Sequence, residues 1–499
     1  MMDGLSHLGA ALAALAGPWQ IAYALGATLA GIVIGLLPGL SATLGVALFT
    51  TLTLKMPPGD AILVLVCVYV GAIYGGSRTA ILLNIPGTAA NAAACLDGNM
   101  LARQGQAGRA MGIATTGSVA GSLFGVLCLA MFTPLLAETA LKFGAFEFFW
   151  LGMVGVMMSG SLTGSNPIKG WLMGLLGIFV ASIGLDPIHA HPRFTFDQNE
   201  ISGGIGLIPA LVGAFGFAEI LTVMSQPKLK AAVNSVDSVL PKIMDLLRYW
   251  RTIIRSGLIG VFVGILPGVG EDMAAWSSYA AAKRASKERD KFGKGSVDGL
   301  IAAETGDNAA IPGALIPALA LGIPGSAPAA VLMAAMIIHG AQPGPMLMVN
   351  QPQFVYDVVG ITLLATLSIL VFGLIMVRPI LWVLRVPREI IMPIVFVLCV
   401  LGSYSITQRL FDVWVMLGVG VACFWLRRRG FPVAPFVLGL VLGDIVDKSL
   451  RRGLVLSDGS LLPFFTRPIS AALAALVLVM LLMQFPAVRR CFSRREATA

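Results

Sequence analysis

The chain has 499 residues, 57% of them hydrophobic and only 12% charged, with a mean hydropathy of +0.87. Soluble globular chains carry about 25% charged residues, so this composition excludes an ordinary soluble enzyme or binding module and points to a polytopic helical membrane protein. The net charge of +9 sits in short polar segments between apolar runs, which suits the positive-inside rule and not a nucleic-acid surface.

Taken in order, apolar segments fall near residues 20–38, 41–54, 60–85, 109–136, 144–161, 168–185 and 204–224. Most are long enough to cross a ~30 Å hydrocarbon core, but 41–54 is too short and reads as half of a broken or re-entrant element. Residues 226–256, with Lys228, Lys230, Lys242, Arg248, Arg251 and Arg255, read as a basic cytoplasmic linker. The second half continues with 256–269, a weakly apolar 273–280, a basic loop from Lys283 to Lys294 and a Gly-Pro-Ala-rich stretch at 309–345. Spans follow near 355–377, 389–403, 411–426, 431–446 and 468–486, before a basic tail. Basic loops and tail assign the C-terminus to the cytoplasm; Lys448, Arg451 and Arg452 fit that scheme poorly.

One phrase occurs twice. Gly35-Leu-Leu-Pro-Gly-Leu40 and Gly264-Ile-Leu-Pro-Gly-Val269 each close an apolar run, and each is followed by a second break, Asn84-Ile-Pro-Gly-Thr88 and Gly322-Ile-Pro-Gly-Ser326. Proline removes a donor and glycine permits unusual dihedrals, so the breaks free backbone groups that lipid cannot satisfy. Interrupted segments at matching places of two halves point to a transporter's binding site. The expected fold is therefore an all-α polytopic membrane protein of about 10–12 transmembrane helices plus broken or re-entrant hairpins, in two inverted repeats. Residues 1–225 would form the first repeat with the Pro38 and Pro86 breaks, and 226–256 the linker. Residues 257–486 would form the second, with the Pro267 and Pro324 breaks and the C-terminal spans, and 487–499 the cytoplasmic tail.

Candidate chemistry clusters at the breaks. Helix N-termini beside Pro38, Gly39, Ser41, Asn84, Pro86, Gly87, Thr88, Pro324, Gly325 and Ser326 could grip a carboxylate with small polar groups; helix packing is the alternative. Arg78 lies inside an apolar stretch after Ser77, where a charge costs at least ~2.5–3.5 kcal/mol. It is either a clamp on an anionic substrate or half of an ion pair with Glu271, Asp272, Glu304 or Asp307. Asp272, Glu304, Asp307 and Asn308 are candidates for the coupling ion, Na⁺ or H⁺, whereas Glu271 reads as a helix-start acid. Asp97-Gly98 reads as a polar turn, and His189 with His191 is a weak metal signal without a third ligand. The six cysteines show no metal-type spacing. No P-loop and no nucleophile–base set stands out, so neither ATP hydrolysis nor an enzyme is expected. No cofactor is expected beyond the coupling ion, and no metal beyond Na⁺. An ion channel, which also uses paired broken helices, is the alternative class.

These phrases together resemble the large membrane subunit of the tripartite tricarboxylate transporters, the TctA family. The likeness rests on Leu37-Pro-Gly-Leu40, Tyr74-Gly-Gly-Ser77, Leu83-Asn-Ile-Pro-Gly87, Leu96-Asp-Gly98, Leu266-Pro-Gly268, Phe292-Gly-Lys-Gly295, Leu321-Gly-Ile-Pro-Gly325 and His339-Gly-Ala-Gln-Pro-Gly-Pro345. Phe436 to Gly443 and Arg467-Pro468 carry it to the last span. The resemblance implies a secondary transporter of the bacterial inner membrane, working with a small TctB-like membrane subunit and a periplasmic TctC-like substrate-binding protein. It implies import of citrate or another di- or tricarboxylate, driven by Na⁺ or H⁺. Arg78, Glu271-Asp272 and Thr305-Gly-Asp-Asn308 depart from the family's commonest pattern and give this chain a charge network of its own.

Overall fold

The computed structural model describes residues 2–37, 39–162, 166–186, 190–225, 248–376 and 388–482. Pro38, most of the linker, His189 and the tail lie outside these residues. The described chain is helical almost throughout, with one two-stranded antiparallel hairpin of Gly184–Leu185 and Pro192–Arg193. Among the described residues seven helices are long and apolar enough to cross a membrane, and shorter apolar helices of 10–17 residues accompany them. Their outward faces remain apolar, as at Trp414 (70% exposed) and Ile375 (71%), which fits a lipid environment and not water.

The chain divides into two units, one of Met1–Glu138 and Gly206–Trp425 and the other of Thr139–Ile205 and Leu426–Ala499. In the first unit, α1 (Met2–Leu15) leads into α2 (Pro18–Leu36), α3 (Ala42–Leu52), α4 (Pro58–Leu83), α5 (Ala92–Leu101) and α6 (Ala107–Ala140), whose last residues leave the unit. Local chemistry sets the starts. Proline opens α2 and α4, where its missing N–H is no loss, and Ser41 Oγ caps α3 by accepting from Leu44 N at 3.2 Å.

The second unit contains α7 (Ala145–Leu162), α8 (Pro167–Ala181) and, late in the chain, α17 (Ala434–Leu456) and α18 (Pro468–Leu482). The first unit resumes with α9 (Leu207–Ser225), then α10 (Trp250–Ile265), α11 (Gly270–Ala285), α12 (Val297–Leu321), α13 (Ala327–Ile338), α14 (Pro352–Ile375), α15 (Arg388–Thr407) and most of α16 (Leu410–Arg428). Because α10 begins at Trp250, the end of the segment read as linker is helical.

Within the second unit, α17 changes character along its length. Pro435 to Gly443 are buried against α7 and α8, whereas Asp444, Asp447, Lys448 and Arg451 follow at helical spacing. These basic residues are paired: Lys448 Nζ with Asp444 at 2.7 Å, Arg451 Nε with Asp447 at 3.0 Å, and Arg451 Nη1 with Asp186 at 2.5 Å. Pairing with acids explains how two of the residues that fitted the charge rule poorly are accommodated.

Candidate functional site

The two pairs of breaks have the same local construction. Gly39 and Gly268 take positive φ, 97° and 74°, after α2 and α10. Downstream, α4 ends on Asn84 and α12 on Gly322, both left-handed, at φ 58° and 71°. The chain then folds back so that Gly87 N–H donates to Gly76 O at 3.2 Å, and Gly325 N–H donates to Ala314 O at 3.3 Å. A Cβ on Gly87 would lie 2.0 Å from Gly35 O, and one on Gly325 would lie 2.0 Å from Gly264 O. Each second break is thus pressed against the end of the helix that carries its own first break, and only glycine fits.

Each break also reaches across to the other half. Tyr69 on α4 shares a hydrogen bond of 2.8 Å with Ser326 Oγ, while Asp307 on α12 accepts from Asn91 Nδ2 at 3.1 Å. Asn91 closes a single 3₁₀ turn after Thr88 and is fully buried. Its amide nitrogen also lies 3.1 Å from Ile73 O and 3.0 Å from Ser77 Oγ, and its oxygen accepts from Thr88 Oγ1 at 2.6 Å.

From Ser77 the network runs to the second acid of α12. Ser77 Oγ donates to Glu304 Oε2 at 2.8 Å, and Ser118 Oγ of α6 lies 2.9 Å from the same oxygen. Glu304, Asp307 and Asn308 are wholly buried, one helical turn apart on one face of α12. Asn308 Nδ2 donates to Asp307 Oδ1 and, at 3.0 Å, to Glu304 O. Glu304 Oε1, Asn308 Oδ1 and Glu271 Oε1 are buried without a hydrogen-bond partner. Buried orphan oxygens are uncommon in proteins and call for a physical explanation.

Arg78 is 1% exposed and turns toward α6. Its Nη1 donates to Met111 O at 2.7 Å, its Nη2 to Thr115 Oγ1 at 3.2 Å, and its guanidinium stacks 4.1 Å from the Tyr74 ring centre. Tyr74 O–H shares a 3.0 Å bond with the same Thr115. The guanidinium is therefore held by neutral groups, with Glu304 close enough to feel its charge.

The structure thus gathers Ser77, Thr88, Glu304, Asp307 and Asn308 into one network, with Gly87 and Pro86 beside it and Ser326 attached through Tyr69. Other candidates stand apart from that network. Ser41 is spent as a helix cap, Gly39 faces Val223 of α9, Asn84 is exposed at the end of α4, and Asp272 is exposed in the first turn of α11. Pro324 and Gly325 are buried at the second break. The breaks also retain fewer free donors than their sequence suggests, because Gly87, Gly325 and Ala329 N–H groups bond within the protein.

Asp97 corrects a sequence expectation. It is not in a turn but inside α5, wholly buried. Its Oδ1 accepts from the backbone N–H groups of Gly293, Gly295 and Ser296 at 2.8, 2.9 and 2.7 Å, and its Oδ2 accepts from Tyr279 O–H at 2.8 Å. One carboxylate thereby pins the basic loop between α11 and α12. Sequence reasoning also missed Asn91, Ser118, Thr115 and Tyr69. Asn91 offered one signal, an amide in an alanine run just past a break; Ser118 and Thr115 sit in an unremarkable helix. Among the described residues no three His, Cys, Asp or Glu side chains gather to hold a metal ion.

Comparison with known proteins bears on the same residues. The family described as tripartite tricarboxylate transporter TctA family matches residues 21–438. An uncharacterised 52.8 kDa protein in the TAR-I ttuC' 3' region of Agrobacterium vitis is 34% identical over 493 residues, covering 98% of each chain. A second uncharacterised protein, in the TAR-II ttuC' 3' region of the same organism, is 34% identical over 233 residues, 46% of this chain and 96% of its own. No solved structure matches. Both pairs of breaks and the whole buried network fall inside the matched span, and likeness at this identity runs nearly end to end, so the chain belongs to the tripartite tricarboxylate transporter TctA family.

Proposed function

We propose that this chain is the carrier subunit of a binding-protein-dependent secondary transporter that imports a di- or tricarboxylate, driven by a Na⁺ or H⁺ gradient. It would work in the bacterial inner membrane with a small TctB-like membrane subunit and a periplasmic TctC-like binding protein, its C-terminus in the cytoplasm. Family membership supports a tricarboxylate transporter's large membrane subunit. The observation that carries the mechanistic part is the reciprocal contact between halves: Tyr69 with Ser326, and Asp307 with Asn91. Each long helix of one half touches the broken segment of the other, so moving one break must disturb the acids or hydroxyls of its counterpart.

On this reading the halves are repeats related by a two-fold axis, which generates such mutual contacts, and the axis lies in the membrane plane. The substrate carboxylates would be met by Ser77, Thr88 and Ser326 with the helix ends at Gly87 and Gly325. The coupling ion would be met near Glu304, Asp307 and Asn308. Asp272, exposed at the start of α11 beside buried Glu271, would be a further acid for the coupling ion.

The test is uptake into proteoliposomes holding this chain and its small partner, with purified binding protein and labelled citrate, succinate, tartrate and aromatic carboxylates. Saturable accumulation that needs both the binding protein and one imposed ion gradient is the expected result. Gradient-insensitive, non-saturating flux would mean a channel and overturn the proposal.

A further inference from the structure

We propose that Glu304 is a proton-carrying group, uncharged in the conformation seen here, and that Asp307 beside it is the fixed anion. This deepens the transport proposal by naming the coupling ion and its carrier, and rests on that proposal only for its transport test.

The two acids differ in what faces them. Asp307 meets amide nitrogens only, Asn91 Nδ2 on one oxygen and Asn308 Nδ2 on the other. Amide nitrogens donate and never accept, so they suit a carboxylate and leave an acidic proton no acceptor. Glu304 meets hydroxyls, which can do either. Ser77 Oγ is supplied with a hydrogen bond by Asn91 and passes its own hydrogen to Glu304 Oε2. Ser118 Oγ lies 2.8 Å from Ala114 O and 2.9 Å from Glu304 Oε2, but it has only one hydrogen. That hydrogen serves one acceptor at a time: while it is on Glu304 Oε2 the Ala114 carbonyl goes without it, and while it is on the Ala114 carbonyl the contact to Glu304 is a hydrogen bond only if Glu304 is protonated and donates. Glu304 Oε1, buried without any donor, is tolerable as the carbonyl oxygen of an acid and costly as half of a carboxylate.

Charge balance agrees. Glu304 is faced by Tyr74, Ser77 and Arg78 from α4, Cys95 from α5, Ser118 from α6 and Asp307 on its own helix, and Asp307 is faced in turn by Glu271 from α11, with Asp272 beside it. Arg78 is the cation of this group, and its Nη atoms already serve Met111 O and Thr115. One cation cannot balance the three buried acids Glu271, Glu304 and Asp307, and a proton on Glu304 lowers that excess of negative charge.

The test uses the full chain purified in nanodiscs. Infrared difference spectra between neutral and alkaline pH should show a protonated-carboxyl C=O band that shifts in D₂O, persists in Asp307→Asn and is absent in Glu304→Gln. Because glutamine imitates the neutral acid, Glu304→Gln should unfold at or above the wild-type temperature. The same band in Glu304→Gln, its absence from wild type at every pH, or clear destabilisation of Glu304→Gln overturns the proposal. In proteoliposomes, with whichever labelled carboxylate wild type accumulates, Glu304→Gln should lose at least tenfold in proton-driven accumulation. Unchanged proton-driven accumulation, or accumulation by wild type on a Na⁺ gradient alone, overturns it too. If wild type moves no carboxylate at all, the transport proposal fails while the infrared result still decides whether Glu304 carries a proton.

Discussion

Arg78 illustrates how a single buried group divides between two roles. Its forked nitrogens hold the Met111 carbonyl and Thr115, and its face lies on Tyr74, so much of its hydrogen-bonding capacity serves the packing of α4 on α6. Lysine cannot reproduce a fork and a stacked plane together. Arg78→Lys should lower the unfolding temperature of the purified protein by leaving groups unmet, at about 1–3 kcal/mol for each. Unchanged stability with a KM raised tenfold or more would instead put the guanidinium on the substrate. Asn91 is the more informative position. Alanine there would remove, in one step, the two amide hydrogens shared among Ile73 O, Ser77 and Asp307 and the acceptor of Thr88. Asn91→Ala should therefore be less stable than Ser77→Ala, measured by the same thermal unfolding, and should abolish uptake; equal stability of the two variants would contradict Asn91's place as the hub.

At the level of elements, the breaks are held by close backbone approach and the basic loop by one carboxylate. Gly87→Ala and Gly325→Ala each force a methyl to within 2.0 Å of a glycine carbonyl oxygen on the neighbouring helix. Overpacking of this kind typically costs about 1–3 kcal/mol or more, and here the obstacle is backbone. Both variants should be recovered in low yield with equal severity, because the two breaks are built alike; full activity in either would show that the segment can shift aside. Asp97→Ala removes the acceptor of three loop amides and of Tyr279. Trypsin should then cut at Lys287, Arg289, Lys291 or Lys294 several-fold faster than in wild type, while cleavage at Arg427 to Arg429 stays unchanged. Equal rates at the loop would mean that its own turns hold it without Asp97.

For the whole molecule, the repeat arrangement makes a prediction about sidedness. The α3–α4 connection carries Lys55, and the corresponding α11–α12 connection carries Lys291. Halves inverted in the membrane must place these loops on opposite sides, whereas parallel halves place them on the same side. Single-cysteine variants Lys55→Cys and Lys291→Cys, in a background without native cysteines, should label from opposite faces of intact cells with a membrane-impermeant reagent. The charge rule puts Lys291 in the cytoplasm. Labelling of both from one face would remove the inverted arrangement and leave the reciprocal contacts to an axis along the membrane normal.

Much of this was legible in the residues themselves, for a local reason. Membrane class follows from composition, and each break follows from Pro and Gly, whose backbone effects need no neighbour from elsewhere in the chain. The paired phrases also carried the family resemblance that the comparisons bear out. The polar network was legible only as a set of suspects, among them Ser77, Glu304 and Asp307. Their meeting depends on pairings 216 and 227 residues apart, through Asn91 and Ser77, and no periodicity along the chain encodes a pairing at that distance. The same limit hid Asp97, whose partners lie 196 to 199 residues away in a loop, and left Arg78 undecided between clamp and ion pair. Tertiary structure decided the partners of Asn91, Ser77 and Asp97 because buried polar groups must find partners, and which partner is near is a property of how the helices pack.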